Sequence, residues 1–226
     1  MVLSIFVINL EDRVDRWQDC MAQTHKVNFP LRRVDAVKSQ EVKSEIFTTP
    51  NIAACWESHR KAMLQLIESG DDFALILEDD FFVSNRTLNF DLEEFRNTGL
   101  DFLQLGFLKT TWRETLYITV ENLYDRFLRL YGRIESIFFR SPTSRKILVR
   151  ERAGLGSNFV FADIRPGAHA YIINREGALY FTQLNKPIFL STDDLFMATA
   201  PMRRIRMARL RKSVVSQSGS ASSIRV

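Results

Sequence analysis

The chain has 226 residues, 46% of them hydrophobic and 26% charged, with only 9 Gly and 6 Pro. This composition excludes collagen-like, low-complexity and wholly disordered proteins, and the length suits one domain, because a single hydrophobic core stops growing at roughly 250 to 300 residues. The net charge of +4 arises at one end, since residues 201–226 hold seven of the 31 basic residues and none of the 27 acidic ones. The body is mildly acidic, which argues against a dedicated nucleic-acid-binding protein.

The first predicted element is a buried strand. Residues 3–10 (LSIFVINL) are β-rich without alternation, as in a central strand covered on both faces. No basic leader or cleavage site accompanies this run, so we expect a strand and not a signal peptide. No stretch approaches the roughly 20 apolar residues of a membrane-spanning helix. We therefore expect a cytoplasmic protein.

Further strands and helices follow in alternation. Residues 31–37 predict a second strand, and Thr49-Pro50 predicts the N-cap and first position of a helix that ends at residues 69–70. Three more strands are predicted at 73–77, 101–105 and 168–173, and Asn174 should cap a helix running to residue 184. The alternation predicts an α/β sandwich with a mainly parallel sheet, in which ligands bind at the carboxyl ends of the strands.

Two features interrupt this pattern. Residues 125–157 mix aromatic residues with eight Arg and Lys and lack clear periodicity, which we interpret as an insertion over the active-site face with a short helix near 122–131. A solvated loop is the alternative. Cys20 and Cys55, the only cysteines, lie outside CxxC and Cys/His metal spacings, so we expect reduced thiols, with one disulfide as the alternative.

Three consecutive acids, Glu78, Asp79 and Asp80, follow the strand at 73–77. Adjacent carboxylates repel one another and are costly to desolvate, and Mg²⁺ or Mn²⁺ is the simplest cation to neutralise them. Since side chains alternate along an extended chain, Glu78 and Asp80 should share a side while Asp79 points away. An exposed acidic turn is the alternative, and the triplet would also suit a phosphohydrolase or a nucleotidyltransferase.

A series of ordered motifs resembles glycosyltransferase family 25, the lipopolysaccharide glycosyltransferases related to collagen galactosyltransferases. The resemblance covers nearly the whole chain except 107–165, where no match is seen. The motifs are VINLEDRVDRW at 7–17, RRVDAV at 32–37, CWESHRKAM at 55–63, LILEDDF at 75–81, DFLQLG at 101–106, GAHAYIINREGA at 167–178, STDDLF at 191–196 and VVSQSGSASSI at 214–224.

This resemblance implies one GT-A-like catalytic domain over 1–200, with an insertion at about 107–165 and a basic extension over 201–226 that completes or covers the site. It implies inverting transfer of galactose or glucose from a UDP-sugar to a glycan acceptor such as a lipopolysaccharide or lipooligosaccharide core. It also implies Mn²⁺ or Mg²⁺ at the acidic triplet. In that assignment Asp80 is the metal ligand that bridges the diphosphate, Glu78 faces the ribose and also belongs to the metal site, and Asp79 is a further donor-site residue.

Several polar residues near strand ends are candidate donor-binding residues. Asn9, Arg13 and Arg16 could hold uracil, ribose or diphosphate, and Asp35 could accept from ribose or uracil. The alternatives are surface ion pairs for the two arginines and a turn for Asp35.

Two histidines are also candidates. His59 lies on the apolar face of the helix over 50–69 beside Ser58 and is a donor-site candidate, whereas His169 could be a further metal or phosphate ligand. For both, a core position is the alternative.

Inverting transfer needs a base to remove the acceptor proton. Asp193, at the start of a predicted helix, is our candidate, and Asp194 is the reserve candidate. Both could instead be first-turn acids that complement the helix dipole.

The basic segment near the C terminus alternates cationic with apolar residues, which indicates a surface-seeking segment. It would suit peripheral contact with an anionic inner membrane face or a lipid-linked acceptor, or one arginine could retain the UDP phosphates; a solvated tail is the alternative. Its cationic residues are Arg203, Arg204, Arg206, Arg209, Arg211 and Lys212. Two rival functions remain at this point: a catalytically silent nucleotide-sugar or glycan binding protein, and a metal-dependent phosphoryl or nucleotidyl enzyme.

Overall fold

A computed structural model describes residues 3–24, 31–43, 48–83, 92–108 and 158–217. The helices of this part of the chain are α1 (Val14–Thr24), α2 (Pro50–Ser69), α3 (Leu92–Thr98), α4 (Arg175–Gln183) and α5 (Thr192–Thr199). Short 3₁₀ turns occur at Ser39–Glu41 and Ala200–Met202. The predicted helix near 122–131 and most of the predicted insertion lie outside the described residues.

The strands form one mixed sheet. Its central order is β2-β1-β3-β7-β5-β8-β6, and β9 pairs with both β4 and β5. The strands are β1 (Leu3–Asn9), β2 (Leu31–Asp35), β3 (Phe73–Glu78), β4 (Phe81–Val83), β5 (Phe102–Gly106), β6 (Phe159–Phe161), β7 (Ala170–Asn174), β8 (Met207–Leu210) and β9 (Val215–Gln217).

Most strands of the central order run the same way. β1 is parallel to β2 and β3, and β5 is parallel to β8, whereas β7 lies antiparallel between β3 and β5 and β6 lies antiparallel to β8. The prediction of an α/β sandwich with a mainly parallel sheet is therefore confirmed. Because β7 is reversed, its first residue, Ala170, lies beside the carboxyl ends of β3 and β5.

Alternating side chains of the sheet supply two cores, one on each face. Phe6 and Ile8 of β1 face α2, α4 and α5 and pack in the core that contains Trp56, Phe181 and Phe196. Leu3, Ile5 and Val7 face the other way, toward Cys20 of α1 and Phe95 of α3. Covering on both faces explains why β1 has a continuous apolar sequence.

The predicted boundaries of α2 agree with its capping residues. The Thr49 hydroxyl accepts from the backbone N–H of Ile52, and Pro50 occupies the first turn, where its missing N–H costs no helical hydrogen bond. Gly70 ends the helix at φ +75°, a left-handed conformation that glycine adopts without a steric penalty.

Residues 207–210 and 215–217 are built into the sheet, which corrects part of the interpretation of this segment as surface-seeking. β8 lies between β5 and β6, and its Met207, Ala208 and Leu210 are buried. Arg209 is itself only 9% exposed, and its Nη2 lies 2.6 Å from Asp163 Oδ2. The interpretation is wrong for Met207–Leu210 because the apolar side chains there fill the core and an internal carboxylate neutralises the arginine.

The end of the predicted insertion contains a strand of the sheet. Residues 159–161 form β6, which pairs with β8 at the edge of the same sheet. The insertion limits at about 107–165 stay a prediction. Among the helices described, none combines the length and the apolar character needed to cross a membrane.

Candidate functional site

A cleft of about 380 Å³ opens at the carboxyl edge of β1, β2 and β3. Its walls come from the ends of these strands, from the segment after β2 and from the first half of α2. This is the location expected for a ligand site in an open α/β sheet. The polar side chains that line it include Asp12, Arg16, Lys38, Gln40, Asn51, Cys55, Ser58, His59, Glu78, Asp79 and Asp80.

The three consecutive acids all line this cleft. β3 ends at Glu78, and Asp79 and Asp80 form a turn. Glu78 contacts His59 of α2, on one face of the sheet. Asp79 extends away from Glu78, as expected, because it accepts hydrogen bonds from Asn9 Nδ2 and from Nη1 of Arg16, on the α1 side, each at 2.8 Å.

Asp80 has a different environment from Asp79. It is 8% exposed, and its Oδ1 is buried without a hydrogen-bond partner among the described residues. Burial, followed by the charges of Glu78 and Asp79, raises the pKa of Asp80 to about 6. A buried carboxylate oxygen with no donor, close to two further carboxylates, has the chemistry of a hard divalent-cation ligand. Asp80 and Glu78 therefore fit the predicted Mn²⁺ or Mg²⁺ ion.

Glu78 is oriented by a chain of hydrogen bonds that runs from Tyr171 through His59 to its carboxylate. His59 Nε2 lies 3.2 Å from Glu78 Oε1, and His59 Nδ1 lies 3.0 Å from the hydroxyl of Tyr171. Burial raises the pKa of Glu78, but the hydrogen bond and charge of His59 outweigh it, and the pKa lies below its usual value. Burial lowers the pKa of His59, but Tyr171, Cys55 and Glu78 outweigh it and the pKa lies well above normal.

His59 therefore occupies a core position and is at the same time a residue of the cleft, which were the two alternatives for it. It is 1% exposed in the core and also reaches the cleft, where it orients a carboxylate. Its neighbour Ser58 accepts from the backbone N–H of Val37 at 2.8 Å and so fixes the segment that follows β2.

Cys55 is a cleft residue that the sequence analysis missed. Its sulfur, a ring nitrogen of His59 and a carboxylate oxygen of Glu78 all lie within 4.8 Å of one another. Cys55 and His59 are four residues apart, which places them on one face of α2. This i, i+4 spacing is the signal that the sequence offers for the pair.

The candidates at the ends of β1 and β2 have different positions. Asn9 and Arg16 reach the acidic turn, whereas Arg13 pairs with Asp15 at 2.9 Å on the surface. The side chain of Asp35 is 65% exposed and does not line the cleft. For Arg13 and Asp35 the described structure therefore agrees with the surface alternatives.

His169 lies immediately before β7, and its ring packs against two glycines. A Cβ atom on Gly106 would collide with its imidazole, and one on Gly167 would lie 3.0 Å from Nδ1. Nε2 is 3.3 Å from the carbonyl of Val215, and burial lowers the pKa of His169, which favours the neutral ring. Nδ1 is buried without a partner among the described residues, and His169 does not join the group formed by Cys55, His59 and Glu78.

Asp193 and Asp194 begin α5 but face different surroundings. Asp193 is partly buried and its Oδ2 accepts from the backbone N–H of Gly167 at 2.8 Å. Burial raises the pKa of Asp193, and the charge of Glu78 adds to this effect. Asp194 is exposed and accepts from the Ser191 hydroxyl, as a residue of the helix cap does.

Gln104 of β5 fixes the loop that contacts Asp193. It is 1% exposed, and its amide group makes three hydrogen bonds of 2.7 to 2.9 Å to the backbone of Arg165 and Gly167. Gly167 has φ +111°, a conformation that L side chains rarely adopt. Gln104 does not line the cleft. It acts indirectly, because it fixes the backbone of Gly167, whose N–H donates to Asp193.

Comparison with protein-family models finds the same family that the ordered motifs resemble. The model of the family described as Glycosyltransferase family 25 (LPS biosynthesis protein) matches residues 2–197. No curated protein matches the chain at a significant level.

Two solved structures are similar in shape. A glycosyltransferase involved in the glycosylation of the major capsid of PBCV-1 is 8% identical, with 98% of this chain and 95% of that chain covered and a TM-score of 0.52. The protein A197 from STIV is 12% identical, with 95% of this chain and 83% of that chain covered and a TM-score of 0.44. At such low identity the first likeness concerns the fold alone.

Proposed function

The chain belongs to glycosyltransferase family 25, and from this membership we propose that it transfers galactose or glucose from a UDP-sugar to a glycan acceptor. The acceptor we propose is a lipopolysaccharide or lipooligosaccharide core, and the transfer inverts the anomeric carbon. The fold is GT-A-like, an α/β sandwich with a mainly parallel sheet. As in other open α/β sheets, its binding cleft lies at the carboxyl edge.

The observation that carries the proposal is the environment of Asp80. Its buried, unpartnered oxygen and its pKa of about 6 mark a carboxylate that lacks a compensating positive charge. Asp80 and Glu78 would hold Mn²⁺ or Mg²⁺, and the orphaned Nδ1 of His169 is a candidate for a further ligand. Such an ion acts as a Lewis acid for the departing diphosphate.

The other residues of the cleft bind and orient. Asn9 and Arg16 hold Asp79 and so fix the turn that presents Asp80. His59 holds Glu78, which we propose accepts from the donor ribose. The mouth of the cleft, with Lys38, Gln40 and Asn51, supplies donors and acceptors for the nucleotide.

Asp193 is the proposed base. It is anchored through one oxygen to the N–H of Gly167, and the direction of its pKa, above the usual value, favours proton uptake from an acceptor hydroxyl. Asp194 is the weaker candidate because its carboxylate is used in the cap of α5. We propose that the protein works in the cytoplasm, with peripheral contact at the inner membrane face.

The decisive experiment measures UDP release from UDP-galactose and UDP-glucose, with and without Mn²⁺ and a core-oligosaccharide acceptor. Release that requires both the metal and the acceptor, together with a product larger by one hexose in mass spectrometry and of inverted configuration by NMR, would support the proposal. Donor binding without turnover would indicate a silent binding protein. Release of phosphate or pyrophosphate would indicate phosphoryl or nucleotidyl transfer.

A further inference from the structure

We propose that Cys55, His59 and Glu78 form a second cation site in the cleft, one that selects Zn²⁺ and blocks donor binding when filled. The blocking effect rests on the proposed function, whereas the binding of the ion does not. The three ligand atoms lie within 4.8 Å of one another, without any rearrangement of the backbone. In a tetrahedral zinc site such atoms are separated by about 3.5 Å, so small side-chain rotations suffice.

The donor set differs in kind from the carboxylates around Asp80. A thiolate and an imidazole are ligands preferred by Zn²⁺ and Co²⁺, whereas Mg²⁺ and Mn²⁺ prefer oxygen. Zn²⁺ also balances the local charge, because the Cys55 thiolate and the Glu78 carboxylate together carry two negative charges. The cleft would therefore contain one hard and one soft site that share Glu78.

A second layer of partners already orients these ligands. The hydroxyl of Tyr171 lies 3.0 Å from His59 Nδ1, so Nδ1–H can donate to it while the Nε2 lone pair turns toward the ion. The hydroxyl of Thr192 lies 3.6 Å from the Cys55 sulfur and can donate to a thiolate. Zinc ligands in proteins are held by partners of this type.

Binding would release protons and change the cleft. The thiol of Cys55 gives up its proton, and any proton on His59 Nε2 leaves as the lone pair binds the metal. The hydrogen bond between His59 and Glu78 is replaced by two bonds to the ion. Because all three ligands line the cleft, the remaining coordination position opens where we propose that the donor lies, and Glu78 is no longer free for the ribose.

The test of binding uses Co²⁺ as a coloured probe on the metal-free full-length protein in a non-chelating reductant. We expect one equivalent of Co²⁺ to give a thiolate-to-cobalt charge-transfer band, which Zn²⁺ abolishes by displacement. Cys55→Ser should lose this band, and the matched control Cys20→Ser should keep it, because Cys20 lies on α1 with its sulfur against the carbonyl of Asp79. Absence of the band in the wild type, or its survival in Cys55→Ser, would overturn the proposal.

A measurement on the wild type alone guards against a variant that fails to fold. Zn²⁺ should slow alkylation of Cys55 by about tenfold or more, as followed by mass spectrometry of the cysteine peptides. Equal alkylation rates with and without Zn²⁺ would contradict the site as directly as the missing band.

The inhibitory effect is tested separately. Zn²⁺ should lower UDP release by the wild type about tenfold, and by less than about twofold for Cys55→Ser, each relative to its own zinc-free rate. Equal inhibition of both would refute the blocking effect. If no UDP release occurs under any condition, the proposed transfer fails, while the cobalt band and the alkylation result still decide the site.

Discussion

Arg16 and Asp79 form a partly buried ion pair, with Nη1 of the arginine 2.8 Å from Oδ1 of the aspartate and each side chain 12% exposed. Asn9 donates to the other oxygen of the same carboxylate. Because this middle acid is neutralised within the protein, it need not bind a ligand. Glu78 and Asp80, on either side of it, remain for the metal and the donor.

The first prediction concerns the stability supplied by that pair. Arg16→Ala should lower the free energy of unfolding by about 3 kcal/mol, because it leaves the Asp79 carboxylate buried without its cation. Urea denaturation followed by circular dichroism measures this. Arg13→Ala is the matched control, since Arg13 pairs with Asp15 on the surface, and it should cost no more than about 1 kcal/mol. Equal losses would show that burial of the pair is unimportant.

The second prediction concerns Asp80 in the metal-free protein. Its folded-state pKa of about 6 lies above the ordinary value of 3.8, so its contribution to stability is full below about pH 4 and is lost as the pH rises through 6. The loss should approach roughly 3 kcal/mol by pH 8. Asp80→Asn cannot ionise and should be more stable than the wild type at pH 8, as measured by thermal unfolding in a chelator.

The same variant should be inactive. If Asp80 binds the divalent ion, Asp80→Asn should abolish UDP release, and Mn²⁺ should raise the melting temperature of the wild type only. Chelator should stop the wild-type reaction and Mn²⁺ or Mg²⁺ should restore it. Wild-type activity that resists chelator would disprove the metal role. Parallel pH–stability curves for the wild type and Asp80→Asn would contradict the raised pKa of Asp80.

Much of the fold could be predicted because its signals are local. A buried strand such as β1 has a continuous apolar run, and α2 carries Thr49, Pro50 and Gly70 at its ends. The edge that bears the cleft could also be predicted, since it follows from parallel strand direction.

What could not be predicted depends on contacts distant in sequence. Arg209 looks solvent-exposed until Asp163 is found beside it, 46 residues away. Asp79 finds its partners in Arg16 and Asn9, which lie 63 and 70 residues away along the chain. Cys55 becomes a site residue only when β3 brings Glu78 to α2, which no spacing within α2 reveals.

The third prediction separates the two candidate bases. Asp193→Asn should lower transfer by roughly 10²- to 10⁴-fold while UDP binding, measured by calorimetry, stays near the wild-type value. Asp194→Asn is the control and should retain activity, with at most about 1 kcal/mol lost from the cap of α5. If Asp194→Asn is inactive and Asp193→Asn is active, the assignment is reversed. If both are active, the base is another residue.

The last prediction concerns contact with an anionic membrane. Arg209 is buried in β8, so we expect such contact to use exposed cations near it, among them Arg204, Arg211 and Lys212. At about 1 kcal/mol per basic residue near the surface, replacing these three with Gln should weaken binding to anionic liposomes by roughly 100-fold at low salt. Added salt should weaken the wild type through screening.

Turnover on a small soluble acceptor should not change in that triple variant, because its three side chains are exposed and lie outside the cleft. Arg209→Gln is the contrasting variant. It should lower the melting temperature, since it removes the nearer of the two arginines paired with Asp163, and should leave liposome binding of the folded protein unaltered. Liposome binding that survives the triple substitution would refute a membrane role for these cations. If soluble turnover also collapses, the cations instead serve the transfer reaction, as arginines that retain the UDP phosphates would.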